Sequence, residues 1–288
     1  MTVVVVTDSS SRLPAPIREL YDIRQVPLHV LTGDDDLSEG VDEIGTDVYD
    51  RPGTTTSGAT PADLASVFES AVADSDGDGV VAVSMSRKLS GTWSSARLAA
   101  EKFPGRVRVV DSRSVGLAVG FATVAAAQAA RAGGEIDRVY EAAIRAASTS
   151  ETLVCVADLG RLRASGRIGA ATRLFGTALS IKPVLRVVDG GLVLAERQRT
   201  FSKAIASMVS AAVAATDRQP TTVGVVHADA ADTAAEVTEM LTDRLRVVTS
   251  TVVTDLGPVL TAHTGRGAVG VVVCPGLDPI EGYAVGAD

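Results

Sequence analysis

Short β-branched segments alternate with helical patterns along this chain, and that alternation limits its possible folds more than any other feature. Val3 to Val6, Gly79 to Met85 and residues 106–111 are apolar runs bounded by turn residues, which is typical of buried strands. Helical patterns follow them, the longest from Val115 to Ala132. Strands that alternate with helices in this way form a largely parallel sheet covered by helices. The sequence therefore predicts an α/β fold.

The second half of the chain has a different pattern. Pro183 to Val188 and Leu192 to Arg197 flank Asp189-Gly190-Gly191, which predicts a β-hairpin. Helices at 201–215 and 230–243 and strands at 222–227, 246–254 and 268–274 are predicted to complete a second unit. We expect two α/β domains: residues 1–158, with a largely parallel sheet flanked by helices, and residues 159–288, of mixed α/β structure. The boundary is placed in the glycine-punctuated, basic stretch DLGRLRASGRIGA.

Composition indicates a soluble, folded chain without metal chemistry. The 288 residues are 46% hydrophobic and 22% charged, which is ordinary for a globular protein. No run approaches the roughly 18 apolar residues of a membrane span, and the N-terminus does not have the pattern of a signal peptide, so we expect a cytoplasmic protein without stable membrane insertion. Cys155 and Cys274 each lie in an apolar run, which favours small core residues over a disulfide or a metal pair.

The charge balance argues against nucleic-acid binding. The formal net charge is −8 and aromatic residues make up 3% of the chain. Such a chain has neither the basic surface that attracts phosphates nor the rings on which bases stack.

Two glycine-containing motifs resemble ligand sites but fail on context. Asp74 to Gly79 matches the opening of a calcium-binding EF-hand loop, yet position twelve, which should be glutamate, is Met85. Gly265, Gly267 and Gly270 spell the dinucleotide fingerprint, but a predicted strand follows where the fingerprint requires a helix. The phosphate-binding GxxxxGK[ST] loop is missing from the sequence. Calcium, dinucleotides and nucleoside triphosphates are therefore not predicted ligands, and no cofactor is expected.

Ser90 lies where a predicted strand gives way to a predicted helix, in SRKLSGTWSSAR. The free N–H groups at such a helix start favour anions. A nucleophile elbow would need glycine two positions on either side of the serine, and those positions are Lys88 and Thr92. Two interpretations stay open from these residues: an ordinary helix N-cap, or one side of an anion site. Lone histidines in apolar strands, such as His29 and His227, are interpreted as core residues.

Small polar residues cluster in the predicted connections, and their motifs occur in a recognisable order. The motifs are TDSSSRLP (7–14), TSGATP (56–61), LSGTWSSA (89–96), Asp111-Ser112, LGRLRASGRI (159–168), IKPVL (181–185), the turn DGG, HAD (227–229), and LGPVL with HTGRGA (256–268). Read together, they resemble the DegV family of bacterial fatty-acid-binding proteins, almost from end to end. The chain departs from the family pattern at Gly58-Ala59, where Gln-Pro is usual, and at Ser165, where glycine is usual.

The resemblance implies a carrier rather than an enzyme. In that family a fatty acid lies in the first domain, with its tail in an apolar tunnel, and a partner fatty acid kinase converts its carboxylate to an acyl phosphate for phospholipid synthesis. Transferred residue by residue, the carboxylate would be bound by Thr56, Ser57, Ser90, Arg167 and His263. Two other functions stay open: a hydrolase or acyltransferase that uses Ser90 and His263, and a regulatory module that senses a lipid or another carboxylate.

Overall fold

The computed structural model describes residues 2–157, 159–168 and 181–285. The chain divides into two compact units, Met1–Ser148 and Thr149–Asp288, here called the N-terminal and C-terminal units. The division comes earlier than the predicted boundary after residue 158, which itself lies outside the described residues. The division comes earlier because strand Glu151–Cys155 pairs with two strands of the C-terminal unit.

A parallel sheet forms the centre of the N-terminal unit. Its four strands lie in the order β2-β1-β6-β7, and every neighbouring pair is parallel. Their bounds are β1 Val4–Asp8, β2 Arg24–Val26, β6 Val80–Ser84 and β7 Val107–Asp111. Every residue of β1 and β6 is buried, as expected for strands covered on both faces. The predicted α/β class is confirmed.

Within its described residues this unit has five α-helices, the last of which ends one residue past the unit boundary. They are α1 Ala15–Leu20, α2 Pro61–Asp74, α3 Thr92–Ala100, α4 Leu117–Arg131 and α5 Ile136–Thr149. The sequence Thr60-Pro61-Ala62-Asp63 is typical of a helix start, and α2 begins there: Thr60 and Asp63 form a reciprocal capping box, and Pro61 occupies the first turn. Helix α4 is buried along almost its whole length, which accounts for its alanine-rich sequence.

The residues between β2 and α2 form a small antiparallel sheet. It consists of β3 His29–Thr32, β4 Asp35–Ser38 and β5 Thr55–Ser57, in the order β4-β3-β5. From its sequence the stretch Arg24 to Val30 is predicted to form one further strand, but the structure divides it between two sheets, so this prediction is wrong. Pro27 has no N–H group to donate to a ladder, and the chain leaves the parallel sheet there before β3 begins.

The C-terminal unit contains a mixed sheet of six strands in the order β10-β9-β8-β13-β11-β12. The strands are β8 Glu151–Cys155, β9 Lys182–Val188, β10 Gly191–Gln198, β11 Thr221–His227, β12 Val248–Asp255 and β13 Val269–Pro275. Its helices are α6 Gly160–Ala164, α7 Phe201–Ala215, α8 Ala231–Arg244 and α9 Gly257–Thr264. Among these six described strands, only β11 and β12 pair in parallel. The predicted hairpin is confirmed, with Asp189 and Gly190 both at positive φ in its turn.

The described residues bear on the expectations about metal sites, membrane helices, cysteines and the glycine triplet. Within them there is no group of three or more side chains that could hold a metal ion, and no helix is long and apolar enough to cross a membrane. Cys155 and Cys274 are buried free thiols, and burial raises the pKa of the Cys155 thiol to about 12. Gly265 and Gly267 lie at positive φ between α9 and β13, so a strand follows the glycine triplet as predicted.

Candidate functional site

Buried polar residues surround the carboxyl ends of the parallel strands in the N-terminal unit. The connection after β1 contributes Ser9, Ser10 and Ser11, and the connections after β6 and β7 contribute Ser86 and Ser112, all of them buried. Ligands of open α/β sheets bind at this edge. This edge of the sheet is therefore the candidate ligand site of the N-terminal unit.

Asp8 joins two of these connections. Its carboxylate accepts a hydrogen bond from the Met85 N–H at 3.0 Å and others from the Ser10 N–H and hydroxyl. Burial raises the pKa of Asp8, and the hydrogen bonds from Ser10 and Met85 partly oppose that rise. Asp8 thus fixes the connection after β1 against the connection that leads to Ser90. Sequence reasoning included Asp8 in a polar stretch but did not single it out.

Ser90 lies just before α3, and its hydroxyl contacts the start of that helix. Ser90 Oγ accepts from the Thr92 N–H at 3.2 Å and lies 2.9 Å from Thr92 Oγ1. The N-cap position itself is occupied by Gly91, which has no side chain to cap the helix. Ser90 therefore satisfies one of the free N–H groups at the helix start from one position further out than an ordinary N-cap.

Gly58 brings the TSGATP loop against Ser90. A Cβ built on Gly58 would lie 2.5 Å from Thr92 Oγ1 and 3.0 Å from Ser90 Oγ, closer than side chains tolerate. The lack of a side chain at this position lets the backbone next to Ser57 approach both hydroxyls. The structure thereby brings the backbone that directly follows Thr56 and Ser57 next to Ser90.

The Thr56 and Ser57 side chains do not point the same way. In the pairing of β5 with β3, Ser57 lies opposite His29 and Thr56 lies opposite Val30. Successive residues of a strand alternate between the two faces of the sheet. Val30 is fully buried, so Thr56 shares the face of a core residue, whereas Ser57 shares the face of His29. The sequence presented the two residues as a pair and gave no indication of this division.

The other two predicted residues, Arg167 and His263, belong to the C-terminal unit, where they are neighbours. His263 lies in the last turn of α9, and Arg167 follows α6. Burial, and then the charge of Arg167, lower the pKa of His263 to about 4. The imidazole is therefore neutral at pH 7, with one N–H to donate. A Cβ on Gly265 would lie 3.4 Å from Arg161 Cδ, so Arg161 also belongs to this cluster, which sequence reasoning missed.

Exposed cations lie next to Ser90 in the N-terminal unit. The guanidinium groups of Arg87 and Arg97 lie 5.3 and 5.6 Å from the centre of the Trp93 ring. Arg87 also pairs with Asp111, at 3.3 Å from Nε to Oδ2, and Lys88 is exposed. Arg87 and Arg97 therefore place positive charge around Trp93 on α3, and Arg87 and Lys88 precede Ser90 in the chain.

A Ser-His catalytic pair is not formed within the N-terminal unit. Ser90 bonds to Thr92, while His29 bonds through Nδ1 to Asp36. His29 was interpreted as a core residue, and its side chain is mostly buried, but only one of its ring nitrogens has a hydrogen-bond partner. Two cavities, of about 350 and 180 Å³, lie near Thr2 at the amino-terminal end of the sheet and contain none of the five predicted residues. The apolar tunnel thus stays a prediction.

Comparison with known proteins identifies the family. A protein-family sequence model, described as "Uncharacterised protein, DegV family", matches residues 2–276. A DegV domain-containing protein of Mycobacterium tuberculosis is 49% identical over 279 residues, which cover 97% of this chain and 99% of the relative. The chain therefore belongs to the DegV family, as the motifs indicated.

Solved structures of the same family share the fold. A structure described as fatty acid binding of a DegV family protein from Thermus thermophilus has a TM-score of 0.89 at 32% identity, covering 96% of this chain and 100% of the other. DegV from Bacillus subtilis, described as a fatty acid binding protein, has a TM-score of 0.85 at 27% identity. The match covers 96% of this chain and 99% of the Bacillus subtilis chain. The predicted mixed α/β fold is thus shared with solved DegV structures.

Proposed function

We propose that this protein binds a long-chain fatty acid and presents its carboxylate to a fatty acid kinase. The observation that carries the proposal is the contact of the Gly58 backbone with Ser90, which gathers hydroxyl groups at the carboxyl edge of the sheet. Two solved relatives are described as fatty-acid-binding proteins, and this supports the choice of ligand.

The carboxylate needs hydrogen-bond donors when it leaves water. Burial of an unpaired carboxylate is costly, and hydrogen bonds to charged groups are stronger than those between neutral groups. Hydroxyls of Thr56, Ser57 and Ser90 supply such donors, and the start of α3 adds the positive end of a helix dipole. Arg167 and His263 keep their predicted role as carboxylate-binding residues, and Arg167 would contribute a permanent positive charge.

The hydrocarbon tail supplies the affinity. A C16 chain buries about fifteen methylene-like groups at roughly 0.8 kcal/mol each, a gross gain of about 12 kcal/mol before ordering costs. Alanine and valine dominate the buried side of α4 and the strands of the parallel sheet. Such smooth aliphatic surfaces suit a tail within the N-terminal unit.

An ionised carboxylate is the nucleophile in the kinase reaction. One of its oxygens forms a bond to the γ-phosphorus of ATP, the bond between γ-phosphorus and the bridging oxygen breaks, and ADP leaves. ATP and its metal ion would belong to the kinase, so this chain needs no cofactor. Exposed Arg87 and Lys88, which precede Ser90 in the chain, and Arg97 on α3 would favour the approach of the phosphates. We place this activity in the bacterial cytoplasm, where the acyl phosphate supplies phospholipid synthesis.

Reconstitution tests the proposal. Delipidated protein, oleate, ATP and a fatty acid kinase should together yield acyl phosphate, and omission of this protein should abolish the product. Ser90→Ala should reduce the yield, while Ser94→Ala, at an exposed position of α3, serves as the matched control. Ester hydrolysis without kinase that disappears in Ser90→Ala would instead establish a hydrolase and overturn the carrier function.

A further inference from the structure

His29 has a hydrogen-bond partner on one side of its ring only. Its Nδ1 lies 2.7 Å from Asp36 Oδ1, and its side chain is 13% exposed. The opposite ring atom, Nε2, is buried without a hydrogen-bond partner. A buried polar atom without a partner is destabilising, so native structures rarely retain one without a reason.

The register of the small sheet places this atom near the candidate site. His29 lies directly opposite Ser57 in the pairing of β3 with β5. Opposite residues of an antiparallel pair have Cβ atoms about 4.5 to 5.5 Å apart and point to the same face. Ser57 is followed by Gly58, whose backbone lies against the Ser90 hydroxyl. His29 is therefore connected to the Ser90 hydroxyl by two neighbour relations: it is paired with Ser57, and the next residue, Gly58, lies close to Ser90.

The face of the small sheet that carries His29 has few charged side chains. Alternation along the strands places six residues on the face of His29: His29, Leu31, Asp36, Ser38, Thr55 and Ser57. Among these six, Asp36 is the only other titratable group. A second acceptor that approached this face would therefore meet the histidine with its Asp36 partner already in place.

We propose that His29 is a further carboxylate-binding residue, whose Nε2–H donates to the fatty acid carboxylate beside Ser57 while Asp36 holds Nδ1–H. This inference rests on the proposed function and extends its binding site by a residue that the motifs do not include. The ligand satisfies the one ring atom that the protein leaves without a partner.

The hydrogen-bond roles determine the proton balance. Beside the Asp36 carboxylate, Nδ1 carries a hydrogen and donates it. The ligand carboxylate is an acceptor only, so Nε2 must also carry a hydrogen, and the bound ring is the imidazolium. Its positive charge then lies between two carboxylates, which favours it. Binding of an ionised fatty acid to a neutral His29 ring therefore takes up one proton from solvent.

Calorimetry of oleate binding in buffers of different ionisation enthalpy measures this uptake directly. Delipidated wild-type protein should take up about one proton at neutral pH. His29→Ala should abolish the uptake and weaken oleate binding about tenfold or more, the size expected for a hydrogen bond to a charged group. His29→Gln keeps a neutral donor, so it should restore part of the affinity without the proton. His227→Gln, on β11 of the C-terminal unit, should retain both.

Imidazole nitrogen NMR provides a readout that a purely structural role would not change. The chain has three histidines, so single variants assign every ring. Oleate should convert the His29 signals to those of an imidazolium, and Asp36→Asn, at a side chain that is 62% exposed, should reduce that conversion without unfolding the protein. Tight oleate binding with unchanged His29 signals and unchanged affinity in His29→Ala would overturn this inference alone. Wild-type protein that binds no oleate would contradict the proposed function and the inference together.

Discussion

At the scale of single residues, the proposed function makes ligand binding depend on the Ser90 hydroxyl. It already contacts Thr92 through two atoms, so its position is fixed before a ligand arrives. We predict that Ser90→Ala weakens oleate binding about tenfold, because a hydrogen bond to a carboxylate is lost. Titration with delipidated protein measures the effect, with Ser94→Ala as control. Equal affinity in the two variants would remove Ser90 from the site.

Gly58 permits the close approach of the loop, and a single methyl group tests this. Gly58→Ala introduces a Cβ that must displace the Thr92 and Ser90 hydroxyls, so we predict weaker oleate binding with the fold retained. Gly91→Ala is the matched control, because a Cβ there meets nothing within 4 Å and φ is −74°. Oleate affinity that falls equally in both variants would show that the close approach is not the cause.

His263 provides a prediction on pH dependence. Its pKa is lowered to about 4 by burial and by Arg167, from the ordinary value of 6.5. The unfolded chain therefore binds a proton more readily than the folded chain, and the stability contribution of His263 is complete above about pH 6.5 and is lost as pH falls toward 4. In an NMR titration, Arg167→Gln should raise the pKa of His263. A pKa of His263 near 6.5 in the wild type would contradict this account.

At the scale of elements, Asp8 connects the ends of two neighbouring strands. Removal of its carboxylate leaves the Met85 and Ser10 N–H groups without that partner in a buried region. We predict that Asp8→Ala lowers the free energy of unfolding by about 2 to 3 kcal/mol. The single tryptophan, Trp93, reports urea unfolding of this unit, and exposed Asp78→Ala should change little. Equal unfolding curves for both variants would show that Asp8 has no such structural role.

Elements were predictable where local sequence determines them. The capping box at Thr60 and the turn at Asp189-Gly190 act within a few residues, and the structure contains both. The chain from Arg24 to Thr32 was harder, because apolar character alone does not show that Pro27 separates two strands of different sheets. The division after Ser148 depends on the pairing of β8 with β9 and β13, which are distant in sequence.

The candidate site was predictable in composition but not in geometry. Motif order indicated Thr56, Ser57, Ser90, Arg167 and His263; in the structure Gly58, next to Ser57, lies close to Ser90, and Arg167 lies near His263. The opposite faces of Thr56 and Ser57, and the position of His29 opposite Ser57, follow from strand register. Register depends on pairing between distant segments, so no local pattern reveals it.

At the scale of the whole molecule, the central claim is that this member of the DegV family carries a long-chain fatty acid. The two units have the fold of relatives described as fatty-acid-binding proteins, and the N-terminal unit places hydroxyl donors at the carboxyl edge of its sheet. Affinity from the tail and orientation from the carboxylate donors are what the proposed carrier function requires.

Mass spectrometry of the purified protein, under native and then denaturing conditions, tests that claim most directly. We predict one long-chain fatty acid per chain, retained in the native spectrum and released on denaturation, whose mass gives the chain length and saturation. Protein that is purified empty and fails to take up added oleate or palmitate would contradict the claim.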